Sequence, residues 1–310
     1  MAELYITELL DKLRDPALAI AEAERAYEKR ITEVAERVVS DGSIRVLLLA
    51  GPSGSGKTTT ANLISDKIKS LGERSMVVSL DDFYRSTTDP DYPKLKNGEN
   101  DFESPDALDN AVLIKTLEDI IAGRDFSIPK YDFKCGRCAQ PVGYKSFADG
   151  CVIVEGIHAL NPRFSNPLPK QSVLKLFVSV STNINDNIGR ILSGKKMRFV
   201  RRLVRDSIYR NAEASRTLSM WANVLKGENE YLYPYKETAD LRFDTFHTFE
   251  VGVMKPFLDK LLTKDIVDTN PYARIVMDAM SRMPVIDERL VPNTSLIREF
   301  IPGGIYEDLY

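Results

Sequence analysis

Two histidines, one tryptophan and three cysteines in 310 residues leave this chain short of the side chains on which many active sites are built. Neither His158 nor His247 is placed to suggest a catalytic pair, and neither is assigned a role. Cys135-Gly136-Arg137-Cys138 forms a CxxC, but a zinc site wants four ligands, and only Cys151 and the two histidines remain, without a second pair at the needed spacing. A loop turn is the expectation there. So few cysteines agree with a reducing compartment. A dominant charge is missing too: the net charge of −3 gives no global attraction to nucleic acid or anionic lipid, so any anion site must be a local concentration of basic residues. No segment approaches a transmembrane span. The opening MAELYITELLDKLRD carries acids where a signal peptide needs a basic start and an apolar middle, so we expect a cytoplasmic protein. Internal repeats and low-complexity runs are lacking, and the single Trp221, beside Met220, is expected in the core rather than as a base-stacking platform.

What is present is a chain with 43% hydrophobic residues, enough for a sizeable core, and one complete phosphate-loop motif. Residues 51 to 58 read Gly51-Pro52-Ser53-Gly54-Ser55-Gly56-Lys57-Thr58. Before them Ile44 to Ala50 is a near-continuous apolar run, as in a parallel strand buried on both faces. After them Leu63, Ile64, Ile68 and Leu71 recur at helical spacing until Gly72 offers a stop. The glycines let N–H groups converge on a phosphate at a helix N-terminus. This predicts binding of ATP or GTP, with Gly51, Ser53, Gly54, Ser55, Gly56 and Thr59 around the phosphates, Lys57 on the β- and γ-phosphates and Thr58 on Mg²⁺.

Further short apolar runs at Ser75–Leu80, Cys151–Glu155 and Val173–Val180 alternate with helical stretches, which predicts a doubly wound, mostly parallel α/β sheet whose ligands gather at the carboxyl ends of the strands. Residues 1–43 read as an appendage of two amphipathic helices broken at Asp15-Pro16, residues 44–263 as the main domain, and 264–310 as a helical extension and tail. A further helix is expected to start with Ser104 as its cap and Pro105 in its first turn, and to stop at Gly123. Two predicted strands end in acids, one in Asp81-Asp82 and the other in Glu155; the first pair offers a candidate base, the second strand an acid to order Mg²⁺. Between Arg190 and Arg216 nine basic residues face two acids, and Arg198, Arg201, Arg202 and Arg205 follow 3 and 4 spacing, so a phosphate clamp on one helix face competes with a solvated basic face or an RNA-binding patch.

Taken in order, GPSGSGKT, SLDDFYR, NDFESPDALD, IPKYDF, VIVEGIHALNP, RRLVRDSIYR and the Ala239-Asp240 pair resemble the uridine kinase and phosphoribulokinase family of P-loop kinases, over about Val46 to Phe257. The tail VPNTSLIREFIPGG and the DFES segment look closest to the kinase portion of bacterial uridine kinase-like proteins with a TGS and synthetase-like front region, which the 43 residues before the first strand are too few to hold. The resemblance implies a P-loop fold with an Arg-rich helical lid over about 186–235, ATP and Mg²⁺ as cofactors, and transfer of the γ-phosphate to a small hydroxyl compound. It implies Asp81 as the hydroxyl-activating acid, Lys57, Arg201 and Arg205 in catalysis and Arg202 on the nucleotide. Thr58, Glu155 and Asp81 would serve the metal, and Tyr84, Phe102, Glu103, Tyr131 and Arg210 the acceptor.

Three departures bear on the acceptor. Lys134-Cys135-Gly136-Arg137 follows Phe133 where pyrimidine kinases carry a base-reading His, Glu103 stands for the usual Asp, and Arg210-Asn211-Ala212 for Arg-Gly-Arg. The 5′-hydroxyl of uridine or cytidine is the first expectation. A sugar, polyol or pantothenate-like acceptor is the second, and a nucleotide-gated RNA- or protein-binding module with little turnover the third. Neither a membrane nor a nucleic-acid partner is expected, and a homo-oligomer is compatible with the sequence.

Overall fold

The computed structural model describes residues 2–132 and 135–309. The chain begins with strand β1 (Glu3–Tyr5), helix α1 (Ile6–Lys12) and helix α2 (Pro16–Ser40). The predicted break falls in place: Asp15 caps α2 by accepting from the Leu18 N–H at 3.0 Å, with Pro16 as first helical residue. Then come β2 (Val46–Ala50), α3 (Lys57–Ser70), β3 (Arg74–Ser79), α4 (Asn110–Ile121), the strands β4 (Phe126–Asp132) and β5 (Arg137–Tyr144), and β6 (Gly150–Glu155). The second half holds α5 (Pro162–Ser165), β7 (Val173–Ser179), β8 (Asn183–Asn185), β9 (Arg190–Leu192), α6 (Gly194–Arg210), α7 (Ala214–Tyr231), β10 (Leu241–Asp244), α8 (Glu250–Leu261), α9 (Lys264–Thr269) and α10 (Pro271–Ser281).

Five strands pair in parallel in the order β10-β7-β2-β6-β3, so the chain reverses its winding direction around β2, next to the phosphate-loop motif. Every residue of β2 and β6 is buried, which is why both read as unbroken apolar runs. Alternation then divides them between two cores. Leu47, Leu49 and Ile153 face a layer with α2, α3, α6, α8 and α10, whereas Val46, Leu48, Val152 and Val154 face α4 and the base of the β4–β5 hairpin.

Some expectations change. The 1–43 segment, expected as a helical appendage, is packed into the main domain: Tyr27, Ile31, Val34 and Val38 share the core with α3, β1 pairs with β8, and the Tyr27 hydroxyl lies 2.6 Å from Thr60 Oγ1. Ser104 caps a 3₁₀ turn, Pro105–Ala107, and the helix proper starts at Asn110 under an Asp109 cap, because a second capping acid and the extended Leu108 intervene. Trp221 is buried as expected, its indole N–H donating to Tyr272 Oη at 3.0 Å. Cys135 is exposed in the turn between β4 and β5; Phe133 and Lys134 lie outside the described residues. Among the described residues no group of three or more His, Cys, Asp or Glu could hold a metal ion, and no helix is long and apolar enough to cross a membrane.

Candidate active site

The loop between β2 and α3 has the geometry its glycines foretold. Gly54 and Gly56 sit at φ of 73° and 85°, in the left-handed region, and Gly56 caps α3 so that the N–H groups of its first turn open toward the loop. Gly51 is needed for space instead: a Cβ there would meet the Val178 carbonyl oxygen at 2.3 Å. Lys57 reaches back to 3.5 Å from the Pro52 carbonyl oxygen, folded over the loop it would share with phosphates.

At the ends of the neighbouring strands three groups meet. Thr58 Oγ1 donates to Glu155 Oε1 over 3.4 Å, and Ser79 Oγ donates to the same oxygen at 3.0 Å. Glu155 is buried, and burial pushes its carboxyl up to about 7, against the Lys57 charge that pulls it down. A buried acid shared by two hydroxyls beside a phosphate loop is a hard-oxygen donor set that suits Mg²⁺ arriving with a nucleotide. Asp81 lies open in the cleft. The surrounding protein raises its carboxyl, Lys57 and Arg210 oppose that, and Asp82 adds to it. Asp82 is committed elsewhere, accepting from Lys130 Nζ at 2.6 Å. The two acids do diverge, but not by strand alternation: they lie in the 3₁₀ turn Leu80–Phe83, whose three-residue period sends consecutive side chains to different sides.

The basic helix α6 requires correction. Arg198 and Arg201 are 1% and 0% exposed, so they form neither a phosphate-facing row nor an RNA-binding surface. Arg198 forks onto Glu228 at 2.7 and 2.9 Å and donates to the Ser53 carbonyl oxygen at 2.8 Å. Arg201, expected to touch the transferring phosphate, forks onto Glu250 at 2.6 and 2.9 Å and reaches the Gly54 carbonyl oxygen at 3.3 Å from beneath. These two buttress the loop. Arg202, Arg205 and Arg210 gather instead on Asp206, at 3.2, 3.0 and 3.2 Å, with Arg202 also donating to Ser53 Oγ at 2.8 Å. Asn211 ends α6 at φ 47°, taking the left-handed cap that a glycine would fill.

Tyr84, Phe102 and Tyr131, expected to form an acceptor pocket, lie near one another. Tyr84 Oη donates to the Phe102 carbonyl oxygen at 2.8 Å, and the Tyr84 and Tyr131 rings lie 5.5 Å apart. Phe102 is 48% exposed, with Tyr92 packed edge-on at 5.8 Å. It borders a cavity of about 580 Å³ between this loop and α7, lined also by Asp101, Glu103, Met220, Val224 and Tyr231. Burial raises Glu103 to about 7, with Arg202 opposing. The close approach depends on Gly227 of α7, where a Cβ would meet Glu103 Cβ at 2.6 Å.

Three acids escaped the sequence reading, Glu228, Glu250 and Glu299, while Asp206 was counted only as one of two acids in the basic run and not as the centre of an arginine cluster. Glu228 Oε1 also accepts from the Ser53 N–H at 2.9 Å, and Glu299 Oε2 accepts from Thr59 Oγ1 at 2.9 Å. One signal was there. A helix whose arginines recur at 3 and 4 spacing, flanked by Phe199, Val200, Leu203 and Val204, must bury some of those charges and therefore needs buried acids opposite them.

A family model described as "Phosphoribulokinase / Uridine kinase family" matches residues 46–252. Uridine kinase-like protein 5 of Arabidopsis thaliana is 29% identical over 198 residues, 63% of this chain, and the chain spans 38% of that relative's length. The uridine kinase of Borrelia hermsii (strain HS1 / DAH) is 30% identical over 200 residues, covering 64% of this chain and 85% of its own. Uridine-cytidine kinase 2-B of Danio rerio is 28% identical over 219 residues, 68% of this chain and 77% of its own.

Proposed function

Because this chain belongs to the phosphoribulokinase and uridine kinase family, we propose that it is an ATP-dependent phosphotransferase that passes the γ-phosphate to a hydroxyl of a small molecule, the 5′-hydroxyl of a nucleoside such as uridine or cytidine first among them. One observation carries the reading: Lys57, Thr58, Glu155 and Asp81 stand at the carboxyl ends of β2, β6 and β3 and meet across one cleft, close enough that Lys57 pulls on both acids. Asp81 orients the acceptor hydroxyl and takes its proton late, Lys57 draws charge from the β- and γ-phosphates, and Arg202, Arg205 and Arg210 flank the path between donor and acceptor. Thr58, with Glu155 and Asp81 nearby, would hold Mg²⁺, which would supply positive charge against the phosphates.

The acceptor lies between Tyr84, Phe102 and Tyr131 and extends into the cavity beside α7. Glu99, Asp101 and Glu230 on that wall outnumber Lys226 and favour an uncharged acceptor over a carboxylate such as pantothenate. A binding module with little turnover is disfavoured by an Asp81 that has no ion pair among the described residues and stands beside Lys57, since binding alone needs no such base. The reading carries a cytoplasmic location with it. Acceptor-dependent ADP release over a panel of nucleosides, sugars, polyols and pantothenate is the test; stimulation by a nucleoside is expected, and stimulation by none of the panel would overturn the reading.

A further inference from the structure

The C-terminal tail delivers a carboxylate to the phosphate loop. Leu296, Ile297, Phe300 and Ile301 are fully buried against the α2–α3 side of the sheet. Leu296 fills the space where a Cβ on Gly56 would stand, at 2.6 Å, and the Phe300 ring lies 5.0 Å from the Arg201 guanidinium. Ser295 bonds to Glu24 of α2 and caps the 3₁₀ turn Leu296–Glu299 by accepting from the Ile297 N–H. That turn aims Glu299, 4% exposed, at the first turn of α3. Its Oε2 accepts from the Thr59 hydroxyl at 2.9 Å and from the Thr59 N–H at 3.4 Å.

Thr59 is the third residue of a helix whose opening N–H groups a phosphate loop offers to a nucleotide. In this structure an anion from the chain's own tail already holds that position. The tail backbone is fixed by its four buried apolar side chains, so a phosphate that needs the Thr59 donors has to displace the Glu299 side chain, not the segment. Arg205 Nη1 stands 3.8 Å from the other carboxylate oxygen and gives the displaced charge a partner.

We propose that Glu299 is an internal competitor for the phosphate loop: it occupies the Thr59 donors when no nucleotide is bound, turns to Arg205 when a phosphate enters, and so sets donor affinity without taking part in the transfer. The inference rests on the reading of this loop as the donor site. Titration calorimetry of the full chain with Mg-ADP and with adenosine, on the wild type and Glu299→Gln, tests it. The isosteric amide keeps the tail packing and removes the charge, so Mg-ADP should bind about tenfold more tightly, about 1.4 kcal/mol, while adenosine, which has no phosphate, binds both proteins equally. Unchanged or weaker ADP binding by a folded Glu299→Gln overturns the proposal, and so does an equal gain for adenosine. A wild-type crystal structure with Mg-ADP tests it without a variant: Glu299 should be found on Arg205 and released from Thr59, and a Glu299 still bonded to Thr59 beside bound ADP refutes the displacement alone. Failure of both proteins to bind ADP refutes the donor-site reading and this inference with it.

Discussion

Asp81 and Asp82 are adjacent and chemically identical, and only their surroundings differ. Asp82 is neutralised by Lys130 at 2.6 Å, while Asp81 faces Lys57 and Arg210 across the cleft. Asp81→Asn should leave ATP affinity nearly intact and lower single-turnover phosphorylation by roughly 10² to 10⁴. Asp82→Asn breaks a half-exposed ion pair, a loss of at most about 1 kcal/mol, and should keep turnover within a few-fold of wild type. An inactive Asp82→Asn beside an active Asp81→Asn would reverse the assignment. Glu24 gives a second residue-scale test. Burial pushes it up from 4.5 to about 7, against the Ser295 hydrogen bond. An acid that binds its proton more tightly folded than unfolded contributes stability below its unfolded value, and that contribution is lost as pH rises through the folded one. The stability of Glu24→Gln relative to wild type should therefore climb between about pH 4.5 and 7, read from melting temperatures across that range; a constant difference would mean that Glu24 titrates as an ordinary carboxylate.

Helix α6 looks like a mobile arginine lid when its charges are counted and like a core element when its apolar side chains are. Met197, Phe199, Val200, Leu203 and Val204 are all buried, and Arg198 and Arg201 are neutralised by Glu228 and Glu250. Amides 198–205 should thus be protected from hydrogen exchange without any nucleotide. Rapid exchange there that slows only with an ATP analogue and Mg²⁺ would restore the lid. Arg201→Met leaves Glu250 buried and unpaired, and should cost about 3–5 kcal/mol in denaturant unfolding, with activity lost in step with the fold. A variant of normal stability and no turnover would instead put Arg201 back on the phosphate. The element scale is also where sequence and structure part. The periodicity of residues 194–210 marks the helix, and the spacing of its arginines marks a face, but what the face meets depends on Glu228 and Glu250, residues 30 and 49 positions away that only the fold brings opposite. For the same reason Asp109 rather than Ser104 caps α4: both are good capping residues, and local sequence does not rank them.

Across the whole molecule, the legible part was the part made by short-range rules. The apolar β2, the loop glycines, the amphipathic α3 and the acids at the ends of β3 and β6 together specify a parallel sheet with a phosphate site at its switch point, and β10-β7-β2-β6-β3 is that sheet. The tail was not legible in the same way. Nothing local in Ser295 to Ile301 says that Leu296 will seat on Gly56 or that Glu299 will bond Thr59, since those contacts span about 240 residues of chain. The central claim is that the cleft transfers phosphate from a nucleotide held at the loop to a small hydroxyl compound. Its most direct test is ADP release measured with uridine, cytidine and non-nucleoside acceptors on the wild type and on Lys57→Ala, a change at a loop side chain that should leave the fold intact. We expect release stimulated by a nucleoside at least about tenfold over ATP alone, and nearly abolished in Lys57→Ala. Release that no acceptor stimulates, or turnover that survives the loss of Lys57, would contradict the account.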